Sequence, residues 1–325
     1  MRSAYIEDLG PSETIRSGEL PDPEPGPSDV LVDVEYTAVN HVDTFVRSGA
    51  WRTPVPFPFV VGRDLVGTVV RAGPGAPSFT PGTRVWSLSM GYAGRQGACA
   101  ERAAVPADRL YPLPEGADPV EAVALAHPAA TAHLALFVHG RLRPGETLVV
   151  VGAGGNVGSA LVAMAAHAGA RVVAVAGARD AEYCRGQGAH EVVDYRAPDA
   201  AERIAAACPG GADLYIDAAG RNDVERALPL LAHRGRMVVL AGMGTRPTLP
   251  AGSLYLLDRT VTGFAISQAT TPELAEAARH VGRLARAGVL RPRRCRVLPL
   301  DQAARAHRDL EEGRAHGVRY VLRVR

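Results

Sequence analysis

Four glycines in one short segment carry the clearest chemical signal of this chain. Gly152, Gly154, Gly155 and Gly158 follow an apolar run, Leu148 to Val151, that is typical of a buried strand, and an amphipathic helix pattern comes next. Glycine lets a backbone turn tightly and approach a pyrophosphate, while a helix N-terminus offers N–H donors and positive potential to it. The sequence therefore predicts a dinucleotide-binding strand, turn and helix in the middle of the chain.

Composition limits the class of protein. The chain has 325 residues, 47% of them hydrophobic and 22% charged, which favours a globular protein of two domains. Its 36 basic residues, all arginine, nearly balance 34 acidic ones, and no run of like charge indicates a nucleic-acid or membrane partner. The N-terminus lacks the apolar run of a signal peptide, and the four cysteines are widely spaced. We therefore expect a cytoplasmic protein with a small-molecule substrate.

The pattern of secondary structure changes about a third of the way along the chain. Up to about residue 120, strands such as Asp29–Tyr36 and Leu65–Ala72 alternate with turns rich in proline and glycine, which predicts a β-rich barrel. From Pro119 onward helices and strands alternate, including a helix predicted over 222–232, and this alternation predicts a parallel sheet covered on both faces. The final elements are predicted to return to the first domain. The predicted fold class is α/β.

Recognisable motifs follow one another along nearly the whole chain. They are Asn40–Gly49, Val61–Gly67, Pro81–Val85, Pro128–Ala132, the glycine turn, Asp217–Gly220, Gly235–Met237 and Ala306–Glu311. The first resembles the signature N-x-x-D/E-T-Y-x-R-S-G, the second G-x-D/E-x-x-G, and the third P-G-D-R-V. Together and in this order they resemble the zinc-free quinone oxidoreductases (the zeta-crystallin-like family) of the medium-chain dehydrogenase/reductase superfamily.

The resemblance implies a particular architecture. It implies a GroES-like β-barrel domain formed by residues 1–122 and 265–325, around a Rossmann domain with a doubly wound parallel sheet at residues 123–264. It also implies a homodimer, for which the strand predicted over Thr260–Ile266 is a plausible contact. These boundaries and the dimer come from the resemblance alone.

The resemblance also bears on metal chemistry. Zinc-dependent members of the superfamily hold a catalytic zinc ion with a cysteine, a histidine and a later cysteine, but this chain has Asn40 and Arg63 at the first two positions. An amide is a poor zinc ligand, and a guanidinium has no lone pair to offer. We therefore predict no metal, and protons must come from side chains or water.

The second strand of the dinucleotide motif indicates which cofactor binds. It ends at Ala176-Gly177, and Arg179 precedes the first acid, Asp180. An acid at the strand end would repel a 2′-phosphate, whereas a small residue followed by arginine admits one, so NADPH is predicted over NADH. A solvated arginine at a helix start is the alternative interpretation of Arg179. The predicted cofactor-binding residues are Gly152, Gly154, Gly155, Asn156, Val157, Gly158, Gly177 and Arg179.

Two polar residues are predicted near the nicotinamide from the family motifs. The amide of Asn40 and the hydroxyl of Thr131 could donate to an acceptor carbonyl or hold the carboxamide of the cofactor. A turn amide is the alternative for Asn40. For Thr131 the alternative is a hydroxyl bonded to its own helix.

The chain departs from its relatives in the substrate pocket. Phe45 and Trp51 stand where relatives commonly carry tyrosines, so a phenolic proton donor is missing there. His41, next to the predicted nicotinamide residues, could replace it because an imidazole titrates near neutral pH. A surface or packed histidine is an equal alternative. His133 is a further candidate for substrate contact.

Three functions remain open at this point. The leading hypothesis is a reductase that transfers a hydride from NADPH to a quinone or an α,β-unsaturated carbonyl. Both acceptors build negative charge on an oxygen conjugated to the attacked carbon. A dedicated enoyl reductase of a biosynthetic pathway is the second. A non-catalytic NADPH-binding protein, favoured by the missing tyrosines, is the third.

Overall fold

The structure, a computed structural model, describes residues 1–325. Its strands are β1 Arg2–Ile6, β2 Arg16–Glu19, β3 Asp29–Ala38, β4 Phe59–Val60, β5 Asp64–Ala72, β6 Arg84–Ser87, β7 Arg102–Pro106, β8 Tyr111–Pro112, β9 Thr147–Val151, β10 Arg171–Ala176, β11 Glu191–Asp194, β12 Ala212–Asp217, β13 Leu231–Val239, β14 Thr260–Gly263, β15 Cys295–Pro299 and β16 Arg319–Arg323. Its helices are α1 His41–Ser48, α2 Pro119–His133, α3 Asn156–His167, α4 Ala181–Gly186, α5 Ala200–Ala207, α6 Val224–Ala227, α7 Ala251–Tyr255, α8 Thr271–Arg286 and α9 Ala303–Glu311.

The chain divides into two compact units. The first contains residues 1–130 and 270–325, and the second contains residues 131–269. The divisions fall eight and five residues after those predicted at 122/123 and 264/265. Helix α2 accounts for the first difference: it begins at Pro119, close to the predicted boundary, whereas the division falls inside it, after Ala130.

The first unit is built mostly on antiparallel strands, and only β15 and β16 pair in parallel. Its larger sheet has the order β15-β16-β3-β5-β6-β8, with β7 also paired to β3, and its smaller sheet has the order β2-β1-β4. Strand β16 lies between β15 and β3, with Val321 opposite Ala38. Apolar side chains from both sheets and from α9 form one core. This is the GroES-like barrel, completed by a segment from far along the chain.

The second unit is a six-stranded sheet in which every pairing is parallel, in the order β11-β10-β9-β12-β13-β14. The order reverses at β9, which pairs with β10 on one side and β12 on the other. Strand β9 is almost entirely buried because both faces of the sheet are covered. In such sheets ligands bind beyond the carboxyl ends of the strands at the reversal point. The predicted fold class is therefore confirmed.

Two helices differ from the predictions. Helix α1 lies within the segment that was expected to contain only strands, and a capping box starts it: the Asn40 backbone N–H donates to Asp43 Oδ2 at 2.7 Å. The helix predicted over 222–232 is wrong in extent. Helix α6 ends at Ala227, Pro229 lies in a short 3₁₀ turn, and β13 has begun by Leu231.

The longest apolar helix belongs to the protein core. Helix α2 and its π-helical continuation, together Pro119–His139, are long and apolar enough in composition to cross a membrane, with a mean hydropathy of 1.3. However, 78% of that apolar window is buried inside the protein. A helix that is apolar on all sides is typical of a large core as well as of a membrane span, and its burial assigns this one to the core.

A buried histidine lies where α9 packs against α1. His307 has no exposed surface, and neither of its ring nitrogens has a hydrogen-bond partner. Arg47 on α1 is equally buried and pairs with Glu311 on α9. Burial, together with repulsion by Arg47, lowers the pKa of His307 to about 3.

This histidine should make the folded protein sensitive to acid. Between its unfolded pKa, near 6.5, and its folded pKa, about 3, only the unfolded state binds the proton, so stability is complete above pH 6.5 and falls below it. The loss at pH 5 is about 2 kcal/mol. In urea unfolding at pH 7 and pH 5, His307→Leu should lose correspondingly less stability than the wild type. The exposed His167→Leu is the control, and an equal loss in both variants would contradict this assignment.

Candidate active site

The glycine turn lies at the carboxyl end of β9. Gly152 has a φ of +79°, which favours glycine, and a β-carbon at Gly158 would meet the carbonyl oxygen of Gly152 at 2.0 Å. Strand and helix therefore approach too closely for any side chain between them. Gly155 precedes α3 and gives it no side-chain cap, so the first N–H groups of the helix, starting at Asn156 and Val157, are left for a phosphate.

The end of β10 carries the residues predicted to select the cofactor. Gly177 is buried, and Arg179 is exposed. Asp180 is buried against the glycine turn, because a β-carbon at Gly154 would lie 2.7 Å from its Oδ2 atom. The structure therefore places an acid, Asp180, against the turn, whereas the sequence argument used only its exposed neighbour Arg179.

A buried polar network occupies the first unit at the start of α1. Asn40 donates from Nδ2 to Asp64 Oδ2 at 2.9 Å and accepts at Oδ1 from Arg319 at 2.6 Å. Arg319 also donates to Asp64 at 3.2 Å and to the carbonyl oxygens of Val39 and Ala124. All three side chains of this network are at most 4% exposed. One arginine thus joins the end of β3, the start of β5 and helix α2.

A second buried pair continues this network. Arg63 Nε lies 3.8 Å from Asp43 Oδ1, and Asp43 Oδ2 accepts from Asn40 Nδ2 at 3.3 Å. Two buried carboxyls are thereby set against two buried guanidinium groups. Burial, the largest cause, raises the pKa of Asp64 to about 8 against the opposing attraction of Arg319. Burial also raises the pKa of Asp43, although Arg63 opposes the shift.

The predicted site residues of the first unit surround this network. Asn40 points both donors of its amide at Asp43 and Asp64, so its side chain is engaged within the unit. His41, the first residue of α1, keeps part of its surface exposed, and partial desolvation of its imidazole, followed by repulsion from Arg319, lowers its pKa. On the same helix Phe45 is 38% exposed. The roles proposed for these residues remain predictions.

Trp51 and the segment that follows β6 meet in the same unit. The Trp51 ring is half-buried and makes an edge contact with the Tyr92 ring, with centroids 5.5 Å apart at 69°. The Arg63 guanidinium lies 5.7 Å from the centroid of that same Tyr92 ring. Arg63, which stands where zinc-dependent relatives carry a metal ligand, is thus covered by the aromatic ring of Tyr92.

Thr131 and His133 belong to the second unit. Both are buried, at 6% and 4% exposure, and the His133 ring lies 5.3 Å from the ring of Phe137. They share the last turn of α2, which positions them together. Their predicted contacts with cofactor and substrate remain predictions.

Sequence reasoning missed several residues of the site. Arg319 lies 255 residues from Asp64, and nothing near it in the sequence marks it as a partner. His127 is buried, and desolvation with repulsion by Arg63 and Arg319 lowers its pKa well below the usual value. The sequence signal that could have identified His127 as a site residue was its position directly before the motif Pro128–Ala132.

The side chains do not form a metal site. No group of three or more His, Cys, Asp or Glu is arranged to hold a metal ion. At the two positions where zinc-dependent relatives place ligands, the structure has the Asn40 amide, already bonded to carboxylates, and a buried guanidinium. A cation at Arg63 repels a metal ion instead of binding it.

Two family models match this chain. The model of the alcohol dehydrogenase GroES-like domain matches residues 26–115. The model of the zinc-binding dehydrogenase family matches residues 156–283. The barrel of the first unit and the parallel sheet of the second therefore each have a recognised counterpart.

Similar proteins align along almost the whole chain. The quinone oxidoreductase of Mus musculus is 30% identical over 327 residues, covering 99% of this chain and 97% of the mouse protein. The crystal structure of Escherichia coli quinone oxidoreductase complexed with NADPH is 26% identical with a TM-score of 0.87, covering 99% of this chain and 100% of that one. The crystal structure of an NAD-dependent alcohol dehydrogenase is 32% identical with a TM-score of 0.89, covering 100% of both chains. This chain belongs to the zinc-free quinone oxidoreductase family of the medium-chain dehydrogenase/reductase superfamily.

Proposed function

We propose that this protein is a zinc-independent, NADPH-dependent reductase that transfers a hydride to a quinone or an α,β-unsaturated carbonyl. The observation that carries the proposal is the turn after β9, where a β-carbon at Gly158 would overlap the carbonyl oxygen of Gly152. Such a turn lets backbone N–H groups approach a pyrophosphate. The mouse and bacterial relatives, both named quinone oxidoreductases, support the acceptor class, and the NADPH in the bacterial structure supports the cofactor.

The side chains hold the acceptor and stabilise charge on its oxygen. When bound, NADPH supplies the hydride. The protein then has to position the acceptor and direct hydrogen bonds at the oxygen that becomes negative. We assign this task to the Thr131 hydroxyl and to a ring N–H of His41, whose lowered pKa keeps it neutral near pH 7. Asn40, engaged with both carboxyls, fixes the start of α1 and so positions His41.

Apolar side chains complete the proposed acceptor site. Phe45 on α1 is 38% exposed and Trp51, three residues after that helix, is half-buried, so both offer ring surface that suits a flat conjugated acceptor. His133, which directly precedes the π-helical segment Leu134–His139, is retained as a substrate-pocket residue. Phe45 and Trp51 carry no side-chain hydrogen acidic enough to act as a proton donor.

The assay that tests this function follows the oxidation of NADPH and NADH by purified protein. The acceptors are 1,4-benzoquinone, 9,10-phenanthrenequinone, a simple cyclic enone and an enoyl thioester. Turnover of quinones or the enone supports the proposal, with His41→Ala and Thr131→Ala expected to slow it. Turnover of the thioester alone identifies a dedicated enoyl reductase. Tight NADPH binding without turnover of any acceptor identifies a binding protein and defeats the proposal.

We expect the enzyme to prefer NADPH over NADH by only a modest factor. Exposed Arg179 can pair with a 2′-phosphate, whereas the Asp180 carboxylate beside Gly154 repels it and accepts a ribose hydroxyl of NADH. Arg179→Gln should therefore lower the ratio of kcat/KM for NADPH to kcat/KM for NADH about 10-fold, which corresponds to about 1.4 kcal/mol. Asp180→Asn should raise the same ratio. The exposed Arg185→Gln on α4 is the control. A wild-type enzyme that prefers NADH would contradict the assignment.

The second unit also offers a surface for a homodimer, which we propose. Strand β14 lies at the edge of its sheet, and the nearby segment exposes Met243, Leu249, Tyr255 and Leu256 at 50–71%. Open strand edges and clustered apolar side chains favour association with a second copy. Light scattering should give twice the 34.1 kDa of one chain, and Leu256→Arg should give the single-chain mass. A monomeric wild type would rule out this dimer.

A further inference from the structure

A recess outside the residues assigned to cofactor or acceptor lies between α8 and the segment that follows β8. We call it the α8 recess. Its volume is about 450 Å³, which is in the range of small-molecule sites, and all of its lining residues belong to the first unit. The apolar part of the lining comes from Trp86, Tyr111, Pro112, Pro114, Ala275 and Ala278.

Small residues on one face of α8 leave room for the recess. Ala275, Ala278 and Gly282 recur at the three- and four-residue spacing of a single helix face. A β-carbon at Gly282 would lie 2.9 Å from Pro114 Cγ, so the helix approaches that segment closely at this point. The alanines on the same face carry only a methyl group each, and the space beside them stays open.

Tyr111 brings a hydrogen-bond donor to the recess. This residue is 9% exposed, and its hydroxyl has no hydrogen-bond partner within the protein. Burial raises the pKa of Tyr111 to about 12, although Arg109 opposes the shift, so the hydroxyl keeps its proton at pH 7. A buried polar group without a partner is costly, and such groups are normally satisfied by water or a ligand.

Three arginines of α8 line the recess beside the alanines. Arg279, Arg283 and Arg286 are exposed, and none of them forms a hydrogen bond or an ion pair within the chain. No carboxylate lines this recess. The acids of the adjoining recess include Glu121, which already pairs with Arg291 at 2.7 Å. Unpaired guanidinium groups next to an apolar surface favour a ligand that carries both an anionic and an apolar part.

We propose that the α8 recess binds an organic carboxylate with an apolar body, at a site separate from the proposed reductase site. The apolar body packs on Trp86 and the prolines, and the carboxylate accepts hydrogen bonds from the guanidinium groups of Arg279 and Arg283. A neutral analogue leaves the guanidinium groups without an anion, whereas an inorganic anion leaves the apolar surface uncovered. Both parts of the ligand are therefore required for binding.

The fluorescence of Trp86 provides the test, and no turnover is needed. The chain has two tryptophans, so Trp51→Phe leaves Trp86, which is 3% exposed and meets Tyr111 with ring centroids 6.3 Å apart, as the sole reporter. Titration of this variant with decanoate should change its emission saturably. Decanol and inorganic phosphate should each bind at least about 10-fold more weakly, because each lacks one of the two required parts.

Charge variants in the same Trp51→Phe background assign the anion contact. Arg279→Gln combined with Arg283→Gln should weaken decanoate binding about 10-fold, because one exposed ion pair contributes up to about fivefold. Arg185→Gln combined with Arg203→Gln removes two exposed charges from α4 and α5 and is the matched control. Tyr111→Phe should weaken binding about fivefold. It should not lower the thermal midpoint, since the hydroxyl has no partner to lose.

Three results would overturn the inference. The first is the lack of any saturable change in Trp86 emission with decanoate. The second is decanol binding as tightly as decanoate, which would make the recess an apolar surface without charge recognition. The third is an affinity for decanoate that stays within about twofold of the Trp51→Phe parent when Arg279 and Arg283 are both replaced. Each result can occur whether or not the protein reduces quinones or enones, so the proposed function is tested separately.

Discussion

Replacing Arg319 by methionine is expected to destabilise the first unit by about 3–5 kcal/mol, the cost typical of breaking a buried ion pair by removing one partner. The side chain donates to the carboxyl of Asp64, the amide of Asn40 and two backbone carbonyls. Methionine fills a similar volume but donates nothing, so these oxygens stay buried and lose their donor. Urea unfolding at pH 9, where a carboxyl with a pKa of about 8 is ionised, measures the difference.

A double variant separates the charge from the packing. If the cost arises from leaving Asp64 unpaired, then Asp64→Asn combined with Arg319→Met should be less destabilised than the sum of the two single variants. Arg323→Met, an exposed arginine on the same strand β16, should stay within about 0.5 kcal/mol of the wild type. A loss below about 1 kcal/mol for Arg319→Met would show that the network contributes little to stability.

The second large effect concerns the cofactor. Gly158→Val should abolish measurable NADPH binding, which corresponds to a loss of at least about 100-fold in affinity, or about 2.7 kcal/mol. A β-carbon there would lie 2.0 Å from the Gly152 carbonyl oxygen and 2.8 Å from Ala153 Cα, so the whole turn must move away from the helix. That movement removes the N–H groups from the pyrophosphate. Fluorescence titration with NADPH is the direct measurement.

A matched glycine keeps this experiment interpretable. Gly186 on α4 is also helical, has no positive φ, and a β-carbon there would meet nothing within 4 Å. Gly186→Ala should therefore bind NADPH as the wild type does. If Gly158→Val binds NADPH with unchanged affinity while folded, the turn after β9 is not the nucleotide site.

The predictable parts of this protein are those in which neighbouring residues carry the whole signal. The strand, glycine turn and helix at 147–167 are contiguous, so their geometry follows from local sequence. The substitution of Asn40 and Arg63 at metal-ligand positions was likewise visible in two short motifs. Local pattern also explains the error at 222–232, where one apolar run is divided between the end of helix α6, a 3₁₀ turn and the start of strand β13.

The buried network could not be predicted in the same way. Its members lie at positions 40, 43, 63, 64 and 319, and only folding brings the last of them to the others. Charged residues are usually exposed, so the sequence favours a surface position for Arg63, which is in fact 1% exposed. The contact of Tyr92 with Arg63 and Trp51 depends on a loop whose backbone conformation no motif specifies. Asp180 was visible in the sequence, but its approach to Gly154 was not.

The position of β16 has a consequence for how the chain is made. The first unit cannot complete its larger sheet until residues 319–323 have been synthesised, because β16 separates β15 from β3. The second unit, residues 131–269, is continuous and leaves the ribosome earlier. It can therefore fold while residues 36–38 of β3 still lack their partner strand β16 and Asp64 still lacks Arg319. We therefore expect the second unit to fold first during translation and the barrel of the first unit to be completed last.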